Sequence, residues 1–268
     1  MGRVTVRRPV VRLSADGGYR RQDVLAGEEP LEIRVDGRPL AVTMRTPGQD
    51  VELAHGFLLT EGVIGAAGDV SIARYCDGVD EAGHNTYNVL DVALAEGVAA
   101  PDPGVERNFY TTSSCGVCGK AALDAVRLRT RFSPAEDEVT VLPETLVTFP
   151  GLLRERQRVF ESTGGLHAAG LFTAAGEPLV VREDVGRHNA VDKVVGRMRL
   201  DGTPATGLGL FVSGRASFEL VQKAWAAGFS AMVSVSAPSA LAVETARTAG
   251  LTLAGFVRGD LLNVYAPA

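Results

Sequence analysis

The sequence contains little cysteine and no long apolar run, and each absence excludes a class of protein. Three cysteines among 268 residues is a small and odd number, which argues against the disulfide framework of a secreted protein. No stretch approaches the roughly 18 uninterrupted apolar residues that a membrane-spanning helix needs. The apolar runs near the N-terminus are too short for a signal peptide, and Val6 stands where N-myristoylation requires Ser or Thr. We therefore expect a cytoplasmic protein with no membrane partner.

The chain also lacks an excess of positive charge. Its formal net charge is −5 at pH 7, so the protein as a whole does not attract nucleic acid or an anionic membrane. No G-x-x-x-x-G-K-[ST] motif is present, so nucleotide hydrolysis has no support. What the sequence does have is apolar residues, at 46% of the total, which is enough for a sizeable core in one or two compact domains.

The first third of the chain shows β-strand patterns. Residues 31–35 alternate apolar and polar side chains, and Asp36-Gly37 predicts a tight hairpin turn before a second strand at 40–44. Asp50 then stands where it can cap a helix that runs to about Glu61 and ends at Gly62.

The C-terminal half alternates strands and helices. Apolar strands are predicted at 179–181, 207–212, 231–235 and 251–257, and amphipathic helices lie between them. This alternation of strands and helices predicts an α/β layer around a largely parallel sheet. Residues 95–105 are rich in Ala, Gly, Pro and acids. We therefore divide the chain into a β-rich N-terminal subdomain at 1–110 and an α/β domain at 111–268 that carries the chemistry, or one continuous domain if this soft boundary is absent.

The sharpest local signal is a pair of cysteines at Cys115 and Cys118. The surrounding segment, residues 111–120, has the sequence TTSSCGVCGK, and an Ala- and Leu-rich helix is predicted directly after it. Backbone N–H groups and the positive end of a helix dipole favour the reactive thiolate at such a position, and Lys120 adds a nearby positive charge. The small neighbours leave room for a partner protein or an extra sulfur atom.

A CxxC pair has several possible roles, and the spacing alone leaves them open. A zinc site wants four ligands, but Cys76 is the one spare cysteine and the four histidines are scattered. A thioredoxin-like pair normally follows the first strand of a βαβ unit, whereas this one lies mid-chain. A nucleobase deaminase needs an H-x-E element and a P-C-x-x-C, yet no H-x-E occurs and Ser114 replaces that Pro. Two cysteines without chemistry are the remaining alternative.

A second group of polar residues lies at 182–193, between a short strand and an amphipathic helix. It contains seven ionisable side chains and Asn189. Loops at the carboxyl ends of strands, facing helix N-termini, are where α/β folds bind anionic ligands. Arg187, His188 and Lys193 can hold phosphates there, and Asp184 or Asn189 can orient a base or an arginine. A solvated loop with capping residues is the alternative.

Three glycine-bearing loops add candidate anion contacts in the C-terminal half. They contain Gly164, Gly165 and His167; Ser213, Gly214 and Arg215; and Phe256, Val257, Arg258, Gly259, Asp260 and Leu261. Bare backbone amides in such loops approach an anion closely, although ordinary turns use the same residues.

With these motifs in view, the chain resembles the FdhD/NarQ family of formate dehydrogenase accessory sulfurtransferases. The resemblance runs from about Glu28 to Tyr265 and depends on several long motifs in the right order. They are EEPLEIRVDG, MRTPGQDVELAHGFLLTEGVI, SSCGVCGK, STGGLHAAGLF, REDVGRHNAVDKVVG, SGRASFELVQKA and GFVRGDLLNVY. Such a set is far more specific than a CxxC pair.

The resemblance implies a fold, an activity and partners. The implied fold is a cytidine-deaminase-like three-layer α/β/α fold with a β-rich N-terminal part and no metal of its own. The implied activity passes sulfur from a cysteine desulfurase, through a persulfide on the CxxC, to the Mo-bis(molybdopterin guanine dinucleotide) cofactor of formate dehydrogenase. Cys115 matches the persulfide-bearing cysteine and Cys118 its companion, while Phe256–Leu261 matches the cofactor-binding segment. Binding of GDP and a homodimer are implied as well. A cofactor chaperone that performs no catalysis is the main competing hypothesis.

Overall fold

The computed structural model describes residues 4–76, 78, 86–101, 132–137 and 141–266. The described chain begins with a two-stranded antiparallel ribbon and continues into a four-stranded sheet and a six-stranded sheet. Cys115 and Cys118, the predicted sulfur-handling thiols, lie outside the described residues. Within those ranges no helix combines the length and the apolar composition needed to cross a membrane.

The described residues of the N-terminal part form strands and one helix, as the sequence predicts. Its elements are β1 (Thr5–Ser14), β2 (Gly17–Ala26), β3 (Glu29–Val35), β4 (Arg38–Arg45), α1 (Asp50–Thr60), β5 (Val70–Tyr75) and β6 (Val89–Leu94), with a 3₁₀ turn at Ala67–Asp69. Strands β1 and β2 form the ribbon, called the N-terminal ribbon below, and the four-stranded sheet has the order β4-β3-β6-β5. Asp36 and Gly37 both have positive φ, at 48° and 77°, which confirms the tight hairpin turn.

The start of α1 differs from the prediction that Asp50 caps it. Gln49 is the N-cap, in the left-handed region with φ 55°, and Asp50 is the first helical residue. The Asp50 carboxylate is instead bound by the guanidinium of Arg45, at 2.9 and 3.0 Å. Arg45 binds both oxygens of this carboxylate in a charge-assisted bidentate pair, which is stronger than a single capping hydrogen bond from a backbone N–H. The predicted helix end is confirmed, since Gly62 follows α1 with φ 74°.

The remaining elements form the C-terminal part. After a 3₁₀ turn at Pro134–Glu136, they are α2 (Pro143–Leu146), α3 (Phe149–Arg156), α4 (Arg158–Thr163), β7 (His167–Thr173), β8 (Pro178–Asp184), α5 (Arg187–Leu200), β9 (Leu208–Val212), α6 (Phe218–Ala227), β10 (Ala231–Ser234), α7 (Ala240–Ala249), β11 (Thr252–Arg258) and β12 (Leu261–Ala266). The strands and helices predicted from residue 179 onward are present, whereas the helix predicted directly after the CxxC segment lies outside the described residues.

The large sheet is mixed, and the prediction of a largely parallel sheet is therefore wrong in this respect. Its order is β12-β11-β10-β9-β7-β8, in which β9, β10 and β11 run parallel while β7 and β12 run antiparallel to their neighbours. The cause is two short connections, at 174–177 and 259–260, because tight hairpins can join only antiparallel strands. The segment 167–173 is apolar and glycine-containing, and its strand was not identified from the sequence.

Helices cover both faces of this sheet, which confirms the three-layer α/β/α arrangement with a β-rich N-terminal part. Phe149 and Leu153 of α3 pack with Phe172 and Phe211 on one face. On the other face, α5, α6 and α7 bury a larger cluster that also includes residues of α1 and the four-stranded sheet. This cluster contains buried residues from both sides of position 110. The division into 1–110 and 111–268 stays a prediction.

Two glycines allow α1 and α5 to cross with their backbones in contact. A Cβ added to Gly56 would lie 1.8 Å from the carbonyl oxygen of Asp192, and one added to Gly196 would lie 1.8 Å from that of Glu52. No side chain fits at such distances, so these two motif glycines set the distance between the helices.

Gly56→Ala is therefore expected to lower the free energy of unfolding by about 1–3 kcal/mol, because overpacking forces the helices apart. Gly151 is a matched control, since it also lies within a helix but an added Cβ there meets no atom within 4 Å. Gly151→Ala is expected to be neutral or to stabilise by up to about 1 kcal/mol. Urea unfolding compares the two variants, and equal stabilities would contradict the close crossing.

A buried lysine links α1, α5 and α6. Lys223 Nζ donates to Thr60 Oγ1 at 2.9 Å, to Asp192 Oδ1 at 3.0 Å and to Glu61 Oε1 at 3.1 Å. Burial opposes the charge on this ammonium group, but the two carboxylates outweigh it and raise the pKa of Lys223 to about 12. Three of the quoted motifs therefore meet in an internal network.

Candidate functional site

The topology brings the predicted binding segments to one edge of the large sheet. Strands β8, β9, β10 and β11 all end at this edge, and β7 and β12 begin there. The loops at 164–167, 184–189, 213–215 and 256–261 are consequently aligned along what we call the carboxyl edge. Loops 184–189 and 256–261 lie near its opposite ends, four strand spacings or roughly 20 Å apart. Ligands of α/β folds bind at edges of this kind.

At one end of the carboxyl edge, a buried ion pair fixes the 184–189 loop. Lys193 Nζ lies 2.7 Å from Asp184 Oδ2, both side chains are fully buried, and the ammonium also donates to the carbonyl of Thr46 at 2.9 Å. Asp184 accepts further hydrogen bonds from the backbone N–H groups of Thr46 and Gly186 and from the amide of Asn189. The contacts of Asp184, Asn189 and Lys193 in the structure are with the protein, so a direct ligand contact from them stays a prediction.

A second buried ion pair, between Arg45 and Asp50, lies within the MRTPGQD motif and stabilises it. Arg45 is fully buried and donates two hydrogen bonds to the Asp50 carboxylate. The hydroxyl of Tyr75 donates to the same carboxylate at 3.0 Å. Burial, and then the charge of Asp50, raise the pKa of Tyr75 above its ordinary value. This pair holds the segment that carries Thr46, whose backbone binds both Asp184 and Lys193.

A cluster of partly exposed ionisable groups lies nearer the protein surface than these two buried ion pairs. His188 Nε2 lies 2.8 Å from Glu219 Oε2, and this interaction lowers the pKa of Glu219. Burial lowers the pKa of His167, and the charges of Arg187 and His188 lower it further, so His167 is neutral at pH 7. The buried Nε of Arg187 has no hydrogen-bond partner among the described residues. An arginine at a helix N-terminus is suited to an anionic ligand.

Glu219 is the member of this cluster that sequence reasoning missed. It lies in α6, two residues after the N-cap Ser217, within the SGRASFELVQKA motif. The motif itself was the available signal. The pairing with His188 depends on a contact across 31 positions of sequence, which no local pattern reveals.

The glycine loops complete the middle of the carboxyl edge. Gly164 ends α4 with φ 68°, and Gly165 is exposed beside it. Ser213 Oγ accepts from the backbone N–H of Ala168 at 2.9 Å, which ties the loop after β9 to the start of β7. A Cβ added to Gly214 would lie 3.4 Å from His167 Nδ1, and the next residue, Arg215, is exposed. The predicted residues of these two loops are therefore neighbours.

The hairpin between β11 and β12 contains a bulge that displays an aromatic ring. Phe256 has φ 54°, a rare conformation for a bulky side chain, and its side chain is 39% exposed. Pairing of the two strands shifts register between Gly255 and Arg258. Bulges and strained residues of this kind re-aim side chains beside functional sites. Val257 is buried, whereas residues 258–261 are exposed, so a ligand at this hairpin meets Phe256 and the turn.

Comparisons with known proteins agree with these motifs. Residues 26–268 match the FdhD/NarQ family. The sulfur carrier protein FdhD of Nocardia farcinica is 60% identical over 268 residues, covering 100% of this chain and 95% of the relative. The sulfur carrier protein FdhD of Mycolicibacterium paratuberculosis is 59% identical over 266 residues, covering 99% and 98%. A crystal structure assigned to a formate dehydrogenase accessory protein of Desulfotalea psychrophila has a TM-score of 0.77 at 23% identity, covers 98% of this chain and 97% of its own, and supports the fold.

Proposed function

Because the chain belongs to the FdhD/NarQ family, we propose that it is a sulfurtransferase that serves a formate dehydrogenase. It takes sulfur from a cysteine desulfurase as a persulfide on Cys115, assisted by Cys118, and delivers it to the Mo-bis(molybdopterin guanine dinucleotide) cofactor. The observation that carries this proposal is the relationship to curated sulfur carrier proteins at up to 60% identity over the whole chain. We place the reaction in the cytoplasm, where such thiols stay reduced.

The two thiols together account for the electrons of the transfer. The Cys115 thiolate attacks the terminal sulfur of the desulfurase persulfide, so one S–S bond forms on Cys115 as the donor bond breaks and the donor cysteine leaves as a thiolate. For delivery, the Cys118 thiolate attacks the Cys115 sulfur, and the terminal sulfur leaves as sulfide. The Cys115–Cys118 disulfide that results is the oxidised product. A cellular thiol reductant then reduces this disulfide and regenerates the two thiols.

The carboxyl edge supplies groups that fit the nucleotide end of the cofactor. Arginines at 187, 215 and 258 suit phosphate oxygens, since Arg187 is partly exposed and Arg215 and Arg258 are exposed. The exposed ring of Phe256 offers a face on which a guanine can stack. Neutral His167 can donate or accept a hydrogen bond without adding charge. Asp184 and Lys193 act beneath these groups by fixing the loop that carries Arg187.

GDP is a practical probe of this site, and two exposed arginines test it. Arg215→Ala and Arg258→Ala are each expected to weaken GDP binding by about 1.5–3 kcal/mol, because charge-assisted hydrogen bonds to phosphate are lost. Arg74→Ala is the control, since Arg74 is also exposed but lies on β5 of the four-stranded sheet. Isothermal titration calorimetry measures all three affinities. Absence of GDP binding by the wild type, or unchanged affinity in both edge variants, would count against the site.

A cofactor chaperone without catalysis is the second candidate function. The features that favour it are those of the carboxyl edge, which recognise an anionic ligand without any thiol. Loss of the two cysteines separates the two functions, since a pure chaperone would tolerate it.

A further inference from the structure

A loop at residues 235–239, called the β10–α7 loop below, lies on the carboxyl edge between two predicted ligand contacts. The strand order places it between the loop after β9, which carries Arg215, and the bulge of β11, which carries Phe256. Strands β9 and β11 are two strand spacings, or roughly 10 Å, apart. A ligand that contacts both Arg215 and Phe256 therefore passes over this loop, to which sequence reasoning assigned no role.

The β10–α7 loop is hydrogen-bonded to its neighbours on both sides. On the β9 side, the backbone N–H of Ser239 donates to the carbonyl of Ala216 at 3.0 Å, and Pro238 forms a parallel bridge with the same residue. On the β11 side, the carbonyl of Ser236 accepts from the backbone N–H of Phe256 at 3.3 Å. The loop therefore connects the segment after β9 with the residue that carries the exposed ring.

A buried hydroxyl holds the same Ser236 carbonyl from inside the protein. Ser234 Oγ donates to this carbonyl at 2.7 Å, and Ser234 is fully buried. A carbonyl oxygen has two lone pairs, so it can accept from the Ser234 hydroxyl and from the Phe256 N–H together. Because Ser234 is buried, it acts on a ligand at the edge through Phe256 and not by direct contact.

Gly255 allows the bulge of β11 to approach this loop closely. A Cβ added there would lie 2.9 Å from the carbonyl oxygen of Ser236 and 3.2 Å from both Ser234 Oγ and Pro238 Cδ. A side chain fits at such distances only if the backbone moves, so glycine is required for the observed contact. The next residue is Phe256, whose φ of 54° is held only where the surrounding contacts over-determine it. The β10–α7 loop supplies these contacts.

We propose that Ser234 and Gly255 are positioning residues that set the Phe256 ring for stacking on the base of a bound nucleotide. Gly255 lets the bulge lie against the loop, and Ser234 fixes the carbonyl that holds the Phe256 backbone. The ring is thereby kept at a constant distance from the phosphate contacts after β9. This inference rests on the nucleotide binding proposed above and adds residues that do not touch the ligand.

Calorimetry with two ligands separates the setting of the ring from general damage to the site. GDP has a base and phosphates, whereas inorganic diphosphate has phosphates alone. Ser234→Ala is expected to weaken GDP binding by about three- to tenfold, the effect of one lost hydrogen bond, and to leave diphosphate binding unchanged. Gly255→Ala should show the same selectivity with a larger loss. Thr245→Val is the matched control, because it removes an equally buried hydroxyl that donates to a carbonyl at 2.7 Å within α7.

A double-mutant cycle tests whether Ser234 acts through the ring. Phe256→Ala is expected to weaken GDP binding by about five- to hundredfold, because the stacking contact is lost. Adding Ser234→Ala to this variant should weaken GDP binding no further, since the ring that Ser234 positions is already absent. Thermal melting shows which variants are folded at the temperature of the titration. Ser234→Ala removes a single oxygen atom and so keeps the test available if Gly255→Ala does not fold.

The outcomes distinguish this inference from the nucleotide site itself. A wild type that binds neither ligand would overturn both. A wild type that binds GDP, together with a Ser234→Ala variant of unchanged affinity, would overturn the positioning role and leave the site. Equal weakening of GDP and diphosphate by Ser234→Ala would also overturn that role, as would additive losses in the Ser234→Ala/Phe256→Ala variant.

Discussion

A double variant that replaces Cys115 and Cys118 with alanine is expected to fold normally, bind GDP and leave formate dehydrogenase inactive. The proposed sulfur transfer has no other predicted acceptor on this chain, so the loss of maturation should be complete. The free energy of unfolding should change little, because the sequence from Ser113 to Gly119 contains small residues, which have little apolar area to contribute to a core. One preparation serves for all three measurements. Chemical unfolding gives the free energy of unfolding, calorimetry gives the affinity for GDP, and an enzyme assay gives the activity of formate dehydrogenase.

Cys76 supplies the matched control for this variant. It is a free, half-buried thiol that follows β5, and its backbone N–H donates to the carbonyl of Val89. Cys76→Ala is expected to retain full maturation. Full maturation by the double variant would remove the sulfur-transfer role and leave a cofactor chaperone as the better account. A collapse in the stability of the double variant would instead indicate a structural metal or disulfide at the CxxC.

Lys193→Met is expected to lower the free energy of unfolding by about 3–5 kcal/mol, because it leaves the fully buried Asp184 without its cation. Arg38→Met is the control, since Arg38 is an exposed cation at the β3–β4 turn, and its removal should change stability by no more than about 0.5 kcal/mol. Urea unfolding measures both variants. A Lys193→Met protein that is fully stable yet loses GDP binding would contradict the supporting role and assign Lys193 to the ligand.

Local chemistry explains what could be predicted from the sequence. Asp36-Gly37 forms a turn because both residues tolerate positive φ, and the helices α1, α5, α6 and α7 follow from their apolar periodicity. The placement of the loops at 184–189, 213–215 and 256–261 also follows, because parallel strands end at one edge, whereas the loop at 164–167 leads into the antiparallel strand β7, which was not identified. The N-terminal ribbon was not predicted, since its exposed side chains carry no clear alternation of apolar and polar residues.

Long-range pairing explains what could not be predicted from the sequence. Asp184 reaches Thr46 across 138 positions, and no local pattern distinguishes a carboxylate that binds a ligand from one that binds a buried lysine. For the same reason, sequence reasoning proposes Asp184, Asn189 and Lys193 as ligand contacts alongside Arg187 and His188. In the structure, Asp184, Asn189 and Lys193 are buried, whereas Arg187 and His188 are partly exposed.

Intact-protein mass spectrometry after incubation with a cysteine desulfurase and cysteine tests the central claim most directly. The wild type and Cys118→Ala are expected to gain the mass of one sulfur atom, and a reducing thiol should remove it. Cys115→Ala should gain none. A wild type that acquires no sulfur, or a Cys115→Ala protein that acquires as much as the wild type, would contradict the assignment of Cys115 as the sulfur carrier.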